Sequence, residues 1–131
     1  MRPLGFPRKN RLSRAKEFAS LHRLGRRILT GHFIVYIMPN RSGFSRLGVS
    51  ISARAGSAVQ RNRLKRLVRE FFRINRAAMP VPADIHITVK RGVQAQSASA
   101  PGVVQNELAG LLADIKSYAP TNKRVTKKAN Q

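Results

Sequence analysis

"SAVQRNRLKRLVREFFRINR", residues 57–76, decides how the rest of the chain is read. Arg61, Arg63, Lys65, Arg66, Arg69, Arg73 and Arg76 run through it interleaved with Val59, Leu64, Leu67, Val68, Phe71, Phe72 and Ile74. On a helical wheel at about 100° per residue the two chemistries separate. Leu64, Leu67, Val68, Phe71 and Ile74 fall on one side, and Asn62, Lys65, Arg66, Arg69, Arg73 and Arg76 on the other, with Arg61 and Arg63 flanking. Ser57 and Gln60 have the spacing of a capping box, and "MPVP" at 79–82 ends the helix near Ala78. The apolar stripe docks the helix and leaves the basic stripe in solvent with Glu70 as its one counter-charge. Solvated faces normally mix signs, so a face this one-sided calls for an anionic ligand. The planar fork of arginine suits phosphate oxygens, and the free N–H groups of a helix start can hold a phosphate as well.

The whole chain carries the same signal. Its 131 residues are the length of one domain, and 26 Lys and Arg against 5 Asp and Glu leave a net charge of +21. Such a chain repels itself and seeks a polyanion; nucleic acid leads, because neutralised phosphates release condensed counterions. The longest apolar run, "FIVYIM" at 33–38, is far short of the roughly 20 residues a spanning helix needs. "MRPLGFPRKNRL" is broken by Pro3 and Pro7 and has no signal-like apolar stretch, so a cytoplasmic chain with no membrane partner is expected. No cysteine is present to form a disulfide or a thiolate site.

Outward from the basic helix, residues 1–12 read as an irregular basic arm. Ser13 is placed to cap a helix through about Leu24, closed by Gly25. "RRILTG" gives a short strand and turn, "HFIVYIM" a strand ending at Pro39, and "RLGVSIS" an alternating strand joined to it most simply as a hairpin through "NRSG". "DIHITVK" at 84–90 alternates again. "GVQAQSASAPG" at 92–102 reads as a loop, and Val103 to about Ala119 as a helix with Val104, Leu108, Leu111, Leu112 and Ile115 on one stripe. Residues 120–131 have too little apolar content to pack and are expected to be disordered. The expectation is an α+β fold in the order α-β-β-β-α-β-α, helices packed on a small mixed four-stranded sheet, in one nucleic-acid-binding domain at 13–119.

"GSAVQRNRLKRLVREFFR" closely resembles the signature of the bacterial ribonuclease P protein component, with its Arg-Asn-Arg core followed by Lys and Arg at helical spacing. The resemblance continues in order through "RLSRAKEF", "FIVYIMPN", "RLGVSIS" and "ADIHITVKR", covering roughly residues 8–118. It implies a protein subunit that assists a catalytic RNA, with bound magnesium, in removing the 5′ leader of precursor tRNA. The endonuclease chemistry then belongs to the RNA and its metal, with no cofactor bound by the protein and no protein oligomer. The residues agree: Glu17, Glu70, Asp84, Glu107 and Asp114 are scattered singly, unlike paired metal-holding carboxylates. His22, His32 and His86 stand apart in sequence and are expected at surface or boundary positions.

By the same resemblance Arg61, Asn62, Arg63, Lys65, Arg66, Arg69 and Arg73 contact the RNA subunit. The single-stranded leader lies in a cleft between the first helix and the sheet. Its candidate contacts are Phe18, His22, Phe33 and Tyr36 for stacking and Arg54, Lys90 and Arg91 for charge, although Phe33 is in phase with the core positions Val35 and Ile37. His22 stands where the family commonly has an aromatic, and Ser52-Ala53-Arg54 where it usually has a Ser and two basic residues. The resemblance also implies a left-handed β-α-β crossover through the basic helix, against the general rule. The rival readings are a ribosomal-type RNA-binding structural protein, a helix-turn-helix DNA regulator, which lacks the preceding short helix and tight turn, and a self-sufficient protein nuclease, which lacks clustered acids.

Overall fold

The computed structural model describes residues 10–113 apart from Ser13, 41–42, 77–78 and 80–81. The expected tail at 120–131, most of the expected arm and the last turns of the expected final helix lie outside these residues. The elements run α1 (Ala15–Leu24), β1 (Arg26–Leu29), β2 (Phe33–Pro39), β3 (Arg46–Ser50), a 3₁₀ turn (Ala53–Ala55), α2 (Ala58–Asn75), β4 (Ala83–Val89), α3 (Ala95–Ala98) and α4 (Val103–Ala113).

The four strands form one mixed sheet in the order β1-β2-β4-β3. β1 and β2 are antiparallel, β2 and β4 antiparallel, and β3 and β4 parallel. The hairpin expected between β2 and β3 is therefore absent; the hairpin is β1–β2, and β4 lies between β2 and β3. The physical reason is burial: all of β4 except Thr88 is buried, including Asp84 and His86, so it takes the centre, where both backbone edges are paired.

Strand alternation sends the two sets of side chains to different layers. Phe33, Val35, Ile37, Leu47, Ile85, Ile87 and Val89 meet Leu64, Val68, Phe71 and Phe72 of α2 and Val104, Leu108 and Leu111 of α4 in the main core. Ala95 and Ala98 are fully buried in the same core. That accounts for α3, a helical turn in the stretch 92–102 expected to be loop: two small side chains three apart let it lie close against α2. On the other sheet face α1 rests on β2 and β4. Gly48 makes this seat, since a Cβ there would stand 2.5 Å from Phe18 Cε1. Residues 10–12 run along β3: Asn10 Nδ2 donates to Ser45 O at 2.7 Å and the Leu12 N–H to Leu47 O at 3.0 Å.

α1 starts one residue later than expected, with Arg14 at its N-cap and the Arg14 N–H donating to Glu17 Oε1 at 3.2 Å. Glu17 and Asp84 converge on Arg46, whose Nη1 is 2.8 Å from Glu17 Oε2 and whose Nη2 is 2.8 Å from Asp84 Oδ2. The Asp84 hydrogen bond raises the Arg46 pKa against the lowering effect of burial, with the Asp84 and Glu17 charges adding to the rise. This clamp ties α1 to the end of the sheet.

Candidate nucleic-acid interface

α2 opens as its sequence predicts. Ser57 Oγ accepts the Gln60 N–H at 3.1 Å and Gln60 Oε1 accepts the Ser57 N–H at 3.1 Å. The buried face, however, is turned toward Phe72. Leu64, Val68, Phe71 and Phe72 are buried, while Leu67 is 38% and Ile74 61% exposed. The wheel separates the stripes correctly but cannot set their phase, which depends on α3 and α4 packing along one flank.

The cations divide into three groups. Asn62, Arg63 and Arg66 are exposed, with Lys65 and Arg69 half-buried beside them. Among the described residues none of these cations pairs with a carboxylate. Arg69 is lowered below the usual arginine range by burial first and by the Arg11 charge second, so two cations crowd together at that edge. Arg61 turns back, its Nε donating to Gly56 O at 3.0 Å. Arg73 is held by Glu70, with Nη2 2.5 Å from Glu70 Oε2. Of the seven residues expected to contact RNA, Arg61 and Arg73 are thus already engaged within the protein.

The opposite sheet face carries the second set. The register aligns Arg27, Tyr36, His86 and Gly48 in one row across the four strands, and Leu29, Ile34, Thr88 and Ser50 in the next. α1 lays Phe18 and His22 over the first row. His22 stacks on Tyr36 with ring centroids 3.9 Å apart and planes 14° from parallel, and Phe18 meets His86 edge-on at 4.7 Å. His22 Nε2 lies 2.7 Å from His86 Nδ1, and His86 Nε2 lies 3.0 Å from Ser50 Oγ. Burial, and then the His22 charge, pushes the His86 pKa down to about 4, so this ring is neutral at pH 7.

From Ile34 onward the face opens into a groove of about 620 Å³ lined by Ser52, Arg54, Lys90, Arg91 and Gln94. The three expected leader cations therefore share one groove, adjacent to the ring cluster of Phe18, His22 and Tyr36. Phe33 does not join them: it is 0% exposed and points into the opposite layer with Val35 and Ile37. Sequence reasoning missed Ile34 and His86 as parts of this face. The period-2 pattern of "DIHITVK" holds the signal for His86, since it falls out of phase with Ile85 and Ile87.

Nor are the histidines isolated as expected. Besides the His22–His86 pair, His32 Nδ1 lies 2.5 Å from Glu107 Oε2, and the His32 N–H and Thr30 Oγ1 both donate to Glu107 Oε1. Burial raises the Glu107 pKa, but the hydrogen bonds from Thr30 and His32 outweigh it and hold the carboxyl below its usual range. This network joins α4 to the β1–β2 turn, where Lys90 Nζ donates to Thr30 O at 2.9 Å. Among the described residues no group of three or more His, Asp or Glu is placed to hold a metal ion, and no helix is long and apolar enough to cross a membrane.

The family model for Ribonuclease P matches residues 6–116. A ribonuclease P protein component from Desulfovibrio desulfuricans is 39% identical over 122 residues, spanning 92% of this chain and 93% of that protein. The fold is similar to the Staphylococcus aureus RNase P protein, with a TM-score of 0.67 and 28% identity over 82% of this chain and 95% of that one. It is equally similar to the RNase P protein from Thermotoga maritima, with a TM-score of 0.67 and 30% identity over 78% and 94% of the two chains.

Proposed function

The chain belongs to the ribonuclease P protein family, and we propose that α2 is its grip on the RNA subunit and the α1–sheet cleft its grip on the 5′ leader of precursor tRNA. It is a protein subunit of the ribonucleoprotein that processes tRNA 5′ ends, with an RNA subunit as partner. The ribosomal-type alternative falls with that membership.

One observation carries the reading: two separate cationic surfaces of different character. On α2, Asn62, Arg63, Lys65, Arg66 and Arg69 form a surface whose cations have no carboxylate partner among the described residues, suited to the phosphates of a folded RNA. On the sheet, a groove with Arg54, Lys90 and Arg91 continues from stacked rings, suited to a single strand whose unpaired bases need faces to stack on.

Cleavage chemistry is assigned to the RNA subunit and its magnesium. The described side chains do not fit a magnesium site, because Glu17 and Asp84 are committed to Arg46, Glu70 to Arg73 and Glu107 to His32 and Thr30. The holoenzyme works in the cytoplasm in this reading, where its precursor is made.

Tyr36→Ala in the reconstituted holoenzyme tests the cleft. Affinity for leader-bearing precursor should fall by roughly fivefold or more, the lower end of what one stacked base contributes, with affinity for mature tRNA unchanged. Equal loss for both ligands would remove the leader assignment.

A further inference from the structure

The reading of the cleft as a leader site leaves one buried residue unexplained. His86 sits in the central strand, 6% exposed, between the core residues Ile85 and Ile87. Both of its ring nitrogens are engaged by side chains from other elements, Nε2 with Ser50 of β3 and Nδ1 with His22 of α1. The edge of Phe18 closes on it at 64°, so its plane is fixed from a third direction.

Resting on the leader reading, we infer that His86 is a positioning residue that locks the His22 imidazole flat against Tyr36, making His22 the outer, pre-set stacking surface for an unpaired nucleobase. A neutral imidazole has one N–H to share between its two partners. Either His86 donates to Ser50 and accepts from His22, or Ser50 donates to His86 and His86 donates to His22. In both arrangements His22 Nε2 is committed and its plane follows that of His86; the centroids are 4.9 Å apart and the planes 23° from parallel. His22 Nδ1 has no partner among the described residues and stays open to an in-plane hydrogen bond with a base edge, accepting in the first arrangement and donating in the second.

The consequence is preorganisation. His22 is an exposed residue on a surface helix, and without an anchor it would distribute over several rotamers and lose that freedom when a base binds. Anchored, it pays little ordering entropy on binding. Tyr36, half-buried beneath it, is then the support of the platform and His22 its contact face.

The test is a double-mutant cycle in the reconstituted holoenzyme, read as the ratio of affinities for leader-bearing precursor and mature tRNA. His22→Ala should lower the ratio by roughly tenfold, within the range for one lost stacked base. His86→Phe keeps an aromatic ring at the Phe18 contact but has no nitrogens; it should lower the ratio by about threefold and add nothing in the His22→Ala background. ¹⁵N NMR of the free protein supplies a second readout, in which His86→Phe should replace a fixed His22 tautomer by an averaged one. Unchanged RNA-subunit affinity shows that each variant is folded. Additive losses in the cycle, or His22 nitrogen signals indifferent to His86→Phe, would overturn the positioning role. A His22→Ala ratio equal to wild type would instead overturn leader contact at His22 and, with it, the inference built on that contact.

Discussion

Burying a neutral histidine under α1 gives stability a pH dependence that can be assigned to one residue. The His86 pKa stands at about 4 in the folded chain against an ordinary 6.5. Each tenfold change in proton affinity is worth about 1.4 kcal/mol, so this displacement corresponds to about 3 kcal/mol. The sign follows from which state binds the proton. As pH falls below 6.5 the unfolded chain protonates His86 while the folded chain does not, so the unfolded state binds more protons and stability falls until pH reaches about 4. Above 6.5 the contribution is fully present. Denaturant unfolding at pH 7, 6, 5 and 4 measures it, and the difference between wild type and His86→Phe removes the background from the +21 charge, which both proteins share. The difference curve should slope between pH 6.5 and 4 and be flat above. Parallel curves for the two proteins through that window would refute the burial of a neutral His86.

Four further outcomes follow. Glu107→Gln should cost about 1–2 kcal/mol at pH 7, measured by denaturant unfolding. Because the folded pKa of Glu107 is depressed, its contribution is present above the ordinary carboxylate range and lost as pH falls through the folded value, so variant and wild type should converge in acid. Gly48→Ala should destabilise by about 1–3 kcal/mol and weaken leader binding, since its Cβ would press on Phe18 at 2.5 Å and on Leu12 Cβ at 3.2 Å. Arg63→Ala with Arg66→Ala should weaken RNA-subunit binding and flatten the slope of log K against log salt by about 1.5, as two phosphate contacts are lost. Leu64→Ala, by contrast, removes a fully buried side chain and should cost about 2–5 kcal/mol in thermal or denaturant unfolding.

Local order was legible in the sequence where short-range chemistry decides it. The Ser57–Gln60 cap, the period-2 runs of β2 and β4 and the two-sided character of α2 all come from neighbours within a turn or two. Strand order was not legible, because a turn at 40–43 advertises a hairpin whatever β4 later does, and β4 takes the centre only after the chain has crossed through α2. The phase of α2 was set from outside as well: Phe72 rather than Ile74 is buried because the facing elements lie on that flank. Ala95 and Ala98 looked like low-complexity loop until a partner helix made small side chains an advantage. Of the candidate site, the cations were legible by charge and the rings by type, but Phe33 belonged to the core its alternation indicated. His22 and His86 are 64 residues apart, and nothing local announces that α1 will bring them together.

Single-turnover cleavage of a leader-bearing precursor tRNA tests the central claim most directly. The purified protein alone should leave the precursor intact, and the same protein with a cognate ribonuclease P RNA should cut it at the mature 5′ end at near-physiological magnesium faster than the RNA alone does. Cleavage by the protein without RNA, or no gain when protein is added to the RNA, would contradict it.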